Sequence, residues 1–254
     1  MPISSGTIKF ISSLRQKKVR QNYHKFTAEG PRIVGELLRQ ARYPVDHVYA
    51  LASWAEQSPP PAGVPLTVVS PKELGRISQL ATPHQVLAVV DLPQGSTSAP
   101  AAPPPAFADH WSLYLDGIQS PSNLGALLRI ADWFDFPYVF GGPGTADLYN
   151  SKSVQASMGS FLRVHYQEMD LTALVTAAPQ LAVFGADLAG EDIYSVTPPP
   201  AGILVLGAEG PGIRAGTQVH INRRLTIPRA AGRQAESLNA AVAAGILCSA
   251  LRRG

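Results

Sequence analysis

Ile203-Leu204-Val205-Leu206-Gly207-Ala208-Glu209-Gly210-Pro211-Gly212 is a run of four aliphatic residues that stops at a glycine-spaced turn. An apolar run without polar alternation reads as a strand covered on both faces, the pattern of a parallel sheet flanked by helices. Gly207, Gly210 and Gly212 permit tight bends and let a ligand approach the backbone around Glu209. The spacing is not the dinucleotide fingerprint GxGxxG, and the chain contains neither a Walker A loop nor an HExxH zinc motif. Taken alone, the turn is equally a structural bend.

Outward from this run lie further short apolar stretches at Trp111–Leu115, Tyr138–Phe140, Leu181–Phe184 and Leu225–Ile227, separated by helical patterns. They predict an α/β fold with a mostly parallel sheet. Two of the strand ends lead into polar turns. Asp116-Gly117-Ile118-Gln119-Ser120-Pro121-Ser122-Asn123-Leu124-Gly125 opens a helix with Leu124, Leu127, Leu128 and Ala131 inward, leaving Asn123 and Arg129 free for a ligand. Ile227-Pro228 leads through Ser237-Leu238-Asn239 into an alanine-rich helix with Leu238, Val242 and Ile246 as its apolar stripe. Ser122 or Asn123 in the first turn, and Ser237 in the other, could equally serve as helix N-caps.

The amino-terminal part has a different character. Residues 1–42 hold nine Lys or Arg against Glu29 and Glu36, a local charge of +7 beside −4 for the remainder. Such a field suits a polyanion docking at one end, although a solvated basic helix has the same composition. A helix is expected over Lys9–Gln21 and another from Pro31, carrying Ile33, Val34, Leu37 and Leu38 inward. Strands at Val45–Ala50, Leu66–Val69 and Val86–Val90, with a helix over Pro71–Leu80, complete a small α/β domain over residues 1–92. The Pro/Ala-rich tract from Pro93 to Ala108 predicts an extended linker over 93–109, and a second domain follows over 110–254.

The 254 residues, 45% of them hydrophobic, suffice for one or two packed domains. Cys248 alone supports neither a disulfide framework nor a cysteine metal site within the chain, and a reducing compartment is expected. No apolar leader follows Met1, and the apolar stretch Ala240–Leu251 is shorter than a spanning helix requires, so the expected location is the cytoplasm, with no membrane partner.

Together, in this order, the three turns resemble the motifs of the SpoU (TrmH-like) family of RNA 2′-O-ribose methyltransferases in the SPOUT superfamily. Asn123-Leu124-Gly125 with Arg129 resembles the first motif, Leu206-Gly207-Ala208-Glu209-Gly210 the second, and Ile227-Pro228 with Ser237-Leu238-Asn239 the third. Ala156-Ser157-Met158-Gly159-Ser160 is similar to a further family segment. Leu14–Arg20 with Phe26–Gly30 resembles the family's RNA-binding extension, related to ribosomal protein L30e.

The resemblance implies a deep trefoil knot in the second domain. It implies S-adenosylmethionine held by backbone groups at Gly207, Ile227 and Leu238, with Leu206 and Ala186 nearby, and no metal. The implied reaction methylates a ribose 2′-hydroxyl of structured RNA, rRNA favoured over tRNA by the two-domain layout. Arg129 would activate the hydroxyl, Asn123 and Asn239 position ribose or phosphate, Glu209 order the site, and Ser237 fix the turn. Arg15, Lys17, Lys18, Arg20 and Lys25 would contact RNA, and a homodimer would assemble each centre. The alternatives are a noncatalytic RNA-binding or ribosome-assembly protein on the same fold and a nucleotide-binding α/β enzyme acting on small molecules. The stretch from Pro228 to Ser237 is about two residues longer than in many relatives, a departure that leaves its contacts open.

Overall fold

Strands rich in aliphatic residues and short capped helices alternate to build two sheets. The computed structural model describes residues 3–40, 42–93 and 102–253. The first part runs α1 (Ser5–Ser13), α2 (Lys17–Tyr23), β1 (Lys25–Glu29), α3 (Pro31–Gln40), β2 (Val45–Ala50), α4 (Ala52–Gln57), β3 (Leu66–Val68), α5 (Pro71–Ile77) and β4 (Val86–Asp91). Its sheet has the order β1-β4-β2-β3, with β4 antiparallel to β1 and β2, and β2 parallel to β3.

The second part runs β5 (Trp111–Asp116), α6 (Pro121–Trp133), β6 (Tyr138–Gly141), α7 (Ser151–Ala156), β7 (His165–Glu168), α8 (Leu171–Ala177), β8 (Val183–Asp192), β9 (Gly202–Gly207), α9 (Ala215–Gln218), β10 (Arg223–Thr226) and α10 (Ala240–Leu251). Its six strands are all parallel, in the order β10-β8-β9-β5-β6-β7. The central strands β5 and β9 are buried almost throughout, as continuous apolar runs require when helices cover both faces.

Four features differ from the sequence expectations. The segment expected as one helix over Lys9–Gln21 is two, broken around Leu14–Gln16. The Arg20 guanidinium accounts for the break, because its Nη1 donates to the freed carbonyls of Leu14 at 2.7 Å and Arg15 at 2.8 Å. Strands β1 and β7 were not foreseen. Both are sheet edges whose sequences, Lys25-Phe26-Thr27-Ala28-Glu29 and His165-Tyr166-Gln167-Glu168, lack an aliphatic run.

The linker expectation fails at its distal end, where Pro105–Asp109 forms a 3-10 turn and buries Phe107 edge-on against Phe140, with ring centroids 5.6 Å apart. Residues 94–101 of that tract lie outside the described residues. Finally, α10 buries Ala240, Ala241, Ala244, Leu247, Cys248 and Leu251, so the expected Leu238, Val242 and Ile246 stripe lies on the opposite side. Leu238 is 47% exposed and Val242 52%. The inner face, packed mainly on α6, combines Leu247 and Leu251 with alanines and Cys248, whose small side chains let the two helices approach closely.

The two sheets meet through an aromatic cluster. Phe26 and Tyr43 of the first part pack on Tyr149 and Phe161 of the second, with centroid separations of 4.9 to 6.3 Å. Arg163 pairs with both Glu36 of α3 and Asp132 of α6, and Arg42 donates to the Leu162 carbonyl at 2.6 Å. Among the described residues, no helix is long and apolar enough to cross a membrane.

Candidate active site

Three segments that lie far apart in sequence converge at the carboxyl ends of the parallel strands, where open α/β sheets commonly build sites. The first leaves β5. Ser120 caps α6 by accepting from the Asn123 N–H at 3.4 Å, so neither Ser122 nor Asn123 is needed as the cap, and the Asn123 side chain is free to turn outward. Leu124, Leu127, Leu128 and Ala131 face inward as expected. Gly125 must be small: a Cβ there would stand 2.5 to 2.8 Å from the Ser153 carbonyl, Ala156 Cβ and Ser157 N. Close packing of α6 on the end of α7 thus explains Gly125 and the small residues Ala156 and Ser157.

The second segment is the glycine turn after β9. A Cβ on Gly207 would collide with the main chain of Gly212 and Ile213, because the turn folds back on itself through the Gly212 N–H to Ala208 O bond at 2.9 Å. The turn is clamped from below by Asp116, a fully buried carboxylate at the end of β5. Its Oδ2 accepts from the Arg214 N–H at 2.7 Å, and its Oδ1 accepts from Arg214 Nε at 2.7 Å and from Nη2. Beneath them, burial pushes the Tyr114 phenol up to about 12, so it packs as a neutral ring.

The third segment is the long turn into α10. Here Asn239, not Ser237, is the N-cap: its Oδ1 accepts from the N–H groups of Ala241 at 3.0 Å and Val242 at 3.3 Å. That leaves its Nδ2 to donate to Glu209 Oε1 at 3.1 Å and Asn123 Oδ1 at 3.2 Å. Asn123 Nδ2 also donates to Glu209 Oε1. One residue from each of the three turns therefore joins a single hydrogen-bonded triad around a carboxylate. Ser237 is exposed and makes no side-chain hydrogen bond among the described residues; the turn is held instead by Arg229 Nη1, which donates to the Ala235 carbonyl at 2.8 Å, and by Asn239 at its end.

Arg129 lies on α6 beyond Asn123, exposed and unpaired among the described residues. Leu206 is buried at the end of β9, while Gly207, Ile227 and Ala186 are half-buried and Leu238 is exposed. Arg15, Lys17 and Lys18 are exposed on the basic segment. Two expected RNA contacts are not available in this form. Arg20 is 2% exposed and bound to Asp147, and Lys25 Nζ is neutralised by Asp91 at 2.5 Å and Asp46 at 3.0 Å. Arg214 carries no signal in the sequence and Asp116 reads there only as the start of the polar turn after β5; their pairing is what gives them a role.

A family model described as the SpoU rRNA methylase family matches residues 110–249, and one described as an MRM3-like substrate binding domain matches residues 6–88. The chain belongs to the SpoU rRNA methylase family. The SpoU segment holds every member of the triad, Arg129 and the Asp116–Arg214 clamp. The chain is 29% identical over 248 residues to the 23S rRNA (guanosine(2553)-2′-O)-methyltransferase RlmP of Bacillus subtilis, covering 96% of this chain and 95% of that one. It is also similar to a TrmH-family protein of Porphyromonas gingivalis, with 38% identity, a TM-score of 0.85 and coverage of 100% and 99%. The SpoU methyltransferase AviRb of Streptomyces viridochromogenes shares the fold at 22% identity, with a TM-score of 0.83 over 98% of each chain.

Proposed function

We propose that this SpoU-family chain methylates a ribose 2′-hydroxyl of ribosomal RNA, using S-adenosylmethionine. The observation that carries this reading is the triad of Asn123, Glu209 and Asn239, which ties all three motif turns into one polar centre with Arg129 on the same helix as Asn123. The full-length likeness to a 23S rRNA enzyme supports rRNA as the substrate class.

The residues present fit the cofactor. A ligand held by main chain needs small neighbours and unspent donors, and the N–H groups of Ile227 and Leu238 have no hydrogen-bond partner among the described residues. Those two residues, with Leu206 and Gly207 and with Ala186 alongside, would hold S-adenosylmethionine, which supplies an electrophilic methyl group when bound. The remaining work belongs to the side chains. A guanidinium stays charged at neutral pH, so Arg129 acts by stabilising the alkoxide that develops on the ribose while an RNA phosphate assists proton removal. Glu209 fixes both asparagine amides; the second Nδ2 hydrogen of Asn123 is left to orient ribose or phosphate, whereas Asn239 spends its amide on Glu209, Asn123 and the helix end and acts by holding them in place.

Assembly follows the same reading. We assign a deep trefoil knot to the 110–254 domain, supported by the return of the chain from β10 to set Asn239 between Asn123 and Glu209. The 1–92 domain is L30e-like and carries the RNA-docking residues Arg15, Lys17 and Lys18. A homodimer is supported by the outward face of α10, where a shallow cavity of about 470 Å³ is lined by Phe134, Tyr194, Val242 and Ile246, among others. The reaction belongs in the cytoplasm, with the ribosome. Mapping 2′-O-methylation across total RNA, with and without active protein, tests the proposal: a site that gains methylation is expected, and an unchanged map defeats it.

A further inference from the structure

Arg20 and Asp147 form a bond between the two parts of the molecule that the methyl-transfer chemistry does not itself require. Arg20 Nη2 lies 2.5 Å from Asp147 Oδ2, and their side chains are only 3% and 16% exposed. The same guanidinium holds the Leu14 and Arg15 carbonyls, so the end of α1 and the start of α2 are fixed on Arg20. The Arg20 Nε is buried without a partner, a cost accepted only where the rest of the group is firmly held.

Asp147 in turn is not on a loose loop. Its carboxylate also accepts from the Tyr149 N–H at 2.9 Å, and its carbonyl accepts from Ser153 Oγ at 2.9 Å. The neighbouring Ala146 N–H donates to the Ile118 carbonyl at 2.8 Å, and Thr145 Oγ1 donates to the Leu115 carbonyl at 2.8 Å. Ile118 and Leu115 flank Asp116, and they lead directly into Ser120, the cap of the helix that bears Asn123 and Arg129.

We propose that Arg20 and Asp147 are positioning residues: they set the distance and orientation of the basic α2 surface, Lys17 and Lys18 included, relative to the Asn123–Arg129 helix of the same chain. The inference rests on the RNA methyltransferase reading above. Its physical content is that docked RNA is presented to the site by a rigid body rather than by a tethered arm. Cations on a flexible arm would bind RNA equally well but would not fix which ribose reaches the site. Orientation is worth large factors in rate, since a displacement of about 1 Å at a distance from the chemistry can cost about 100-fold.

The test uses the full chain, an unmodified 23S rRNA transcript as probe, and the variants Arg20→Lys and Asp147→Asn. Asp147→Asn keeps side-chain size but removes the charge of the pair, and Arg20→Lys keeps the charge but loses the forked donors. The dissociation constant for the transcript and its salt dependence should change by no more than about 3-fold, because Arg15, Lys17 and Lys18 still face solvent. S-adenosylmethionine affinity should be unchanged. The single-turnover methylation rate at saturating RNA should fall about 10- to 100-fold, with methyl groups spreading to neighbouring nucleotides. An unaltered rate and methylation map would overturn the proposal. So would joint loss of RNA and S-adenosylmethionine binding, which would make the pair merely a support of the fold. If the unsubstituted protein transfers no methyl group to any RNA, it is the underlying reading that fails.

Discussion

Asn239 donates to Glu209 at 3.1 Å from the same side chain whose Oδ1 caps α10. One amide thus serves both the helix and the site, and the two duties can be separated. Asp at 239 keeps the capping oxygen and suits the positive end of the helix, yet it removes the donor and faces Glu209 with a second carboxylate. Asn239→Asp should therefore retain the melting temperature to within a few degrees while methyl transfer falls about 100-fold. Asn239→Ala should lose the cap as well, at about 1 kcal/mol, measured by denaturant unfolding.

Arg129 is exposed and makes no side-chain hydrogen bond or ion pair among the described residues, so its removal should leave the fold intact. Arg129→Ala is expected to bind S-adenosylmethionine normally and to lose about 100-fold or more in rate. Mixed dimers of Arg129→Ala and Leu238→Trp chains then ask whose cofactor Arg129 serves. Recovered activity places it across the dimer interface, and persistent inactivity in verified mixed dimers places it within one chain.

Gly125→Ala adds one methyl group where α6 lies against the main chain of α7. Overpacking of this kind should cost about 2 kcal/mol, a fall in melting temperature of about 4 to 8 °C by calorimetry. Because α6 carries Asn123, the displaced helix should also impair activity. A variant as stable and active as the parent would show that α7 gives way freely.

Burial raises the Cys248 thiol well above the ordinary cysteine range, which keeps it protonated at pH 8. The thiolate is the reactive form, so labelling by an aromatic disulfide reagent should be negligible in the folded protein and should accelerate in step with unfolding by urea. Rapid labelling in native buffer would mean that α10 opens locally.

Much of this molecule was legible because aliphatic runs and glycine turns have local causes. Val45–Ala50 matches β2 residue for residue, and β5 and β9 follow the expected strands closely, as covered parallel strands leave little ambiguity. The polar edges β1 and β7 had no such signal, since their pairing partners rather than their composition make them strands. The triad was legible as three motif members, but the dual use of Asn239 was not: Ser, Asn and Asp compete as caps with similar energies, and only the packed helix end decides. The same limit applied to charge. Arg20 and Lys18 are two residues apart on one basic helix, and the fold turns one inward to Asp147 and the other to solvent.

The bond from Asn239 to Asn123 spans 116 residues of chain. During synthesis the triad cannot close until residue 239 has been made, since its three members enter the chain on three separate turns. The site is therefore among the last parts of the fold to be completed, and a product truncated before α10 would keep β5, β9 and their turns yet lack the side chain that ties them together.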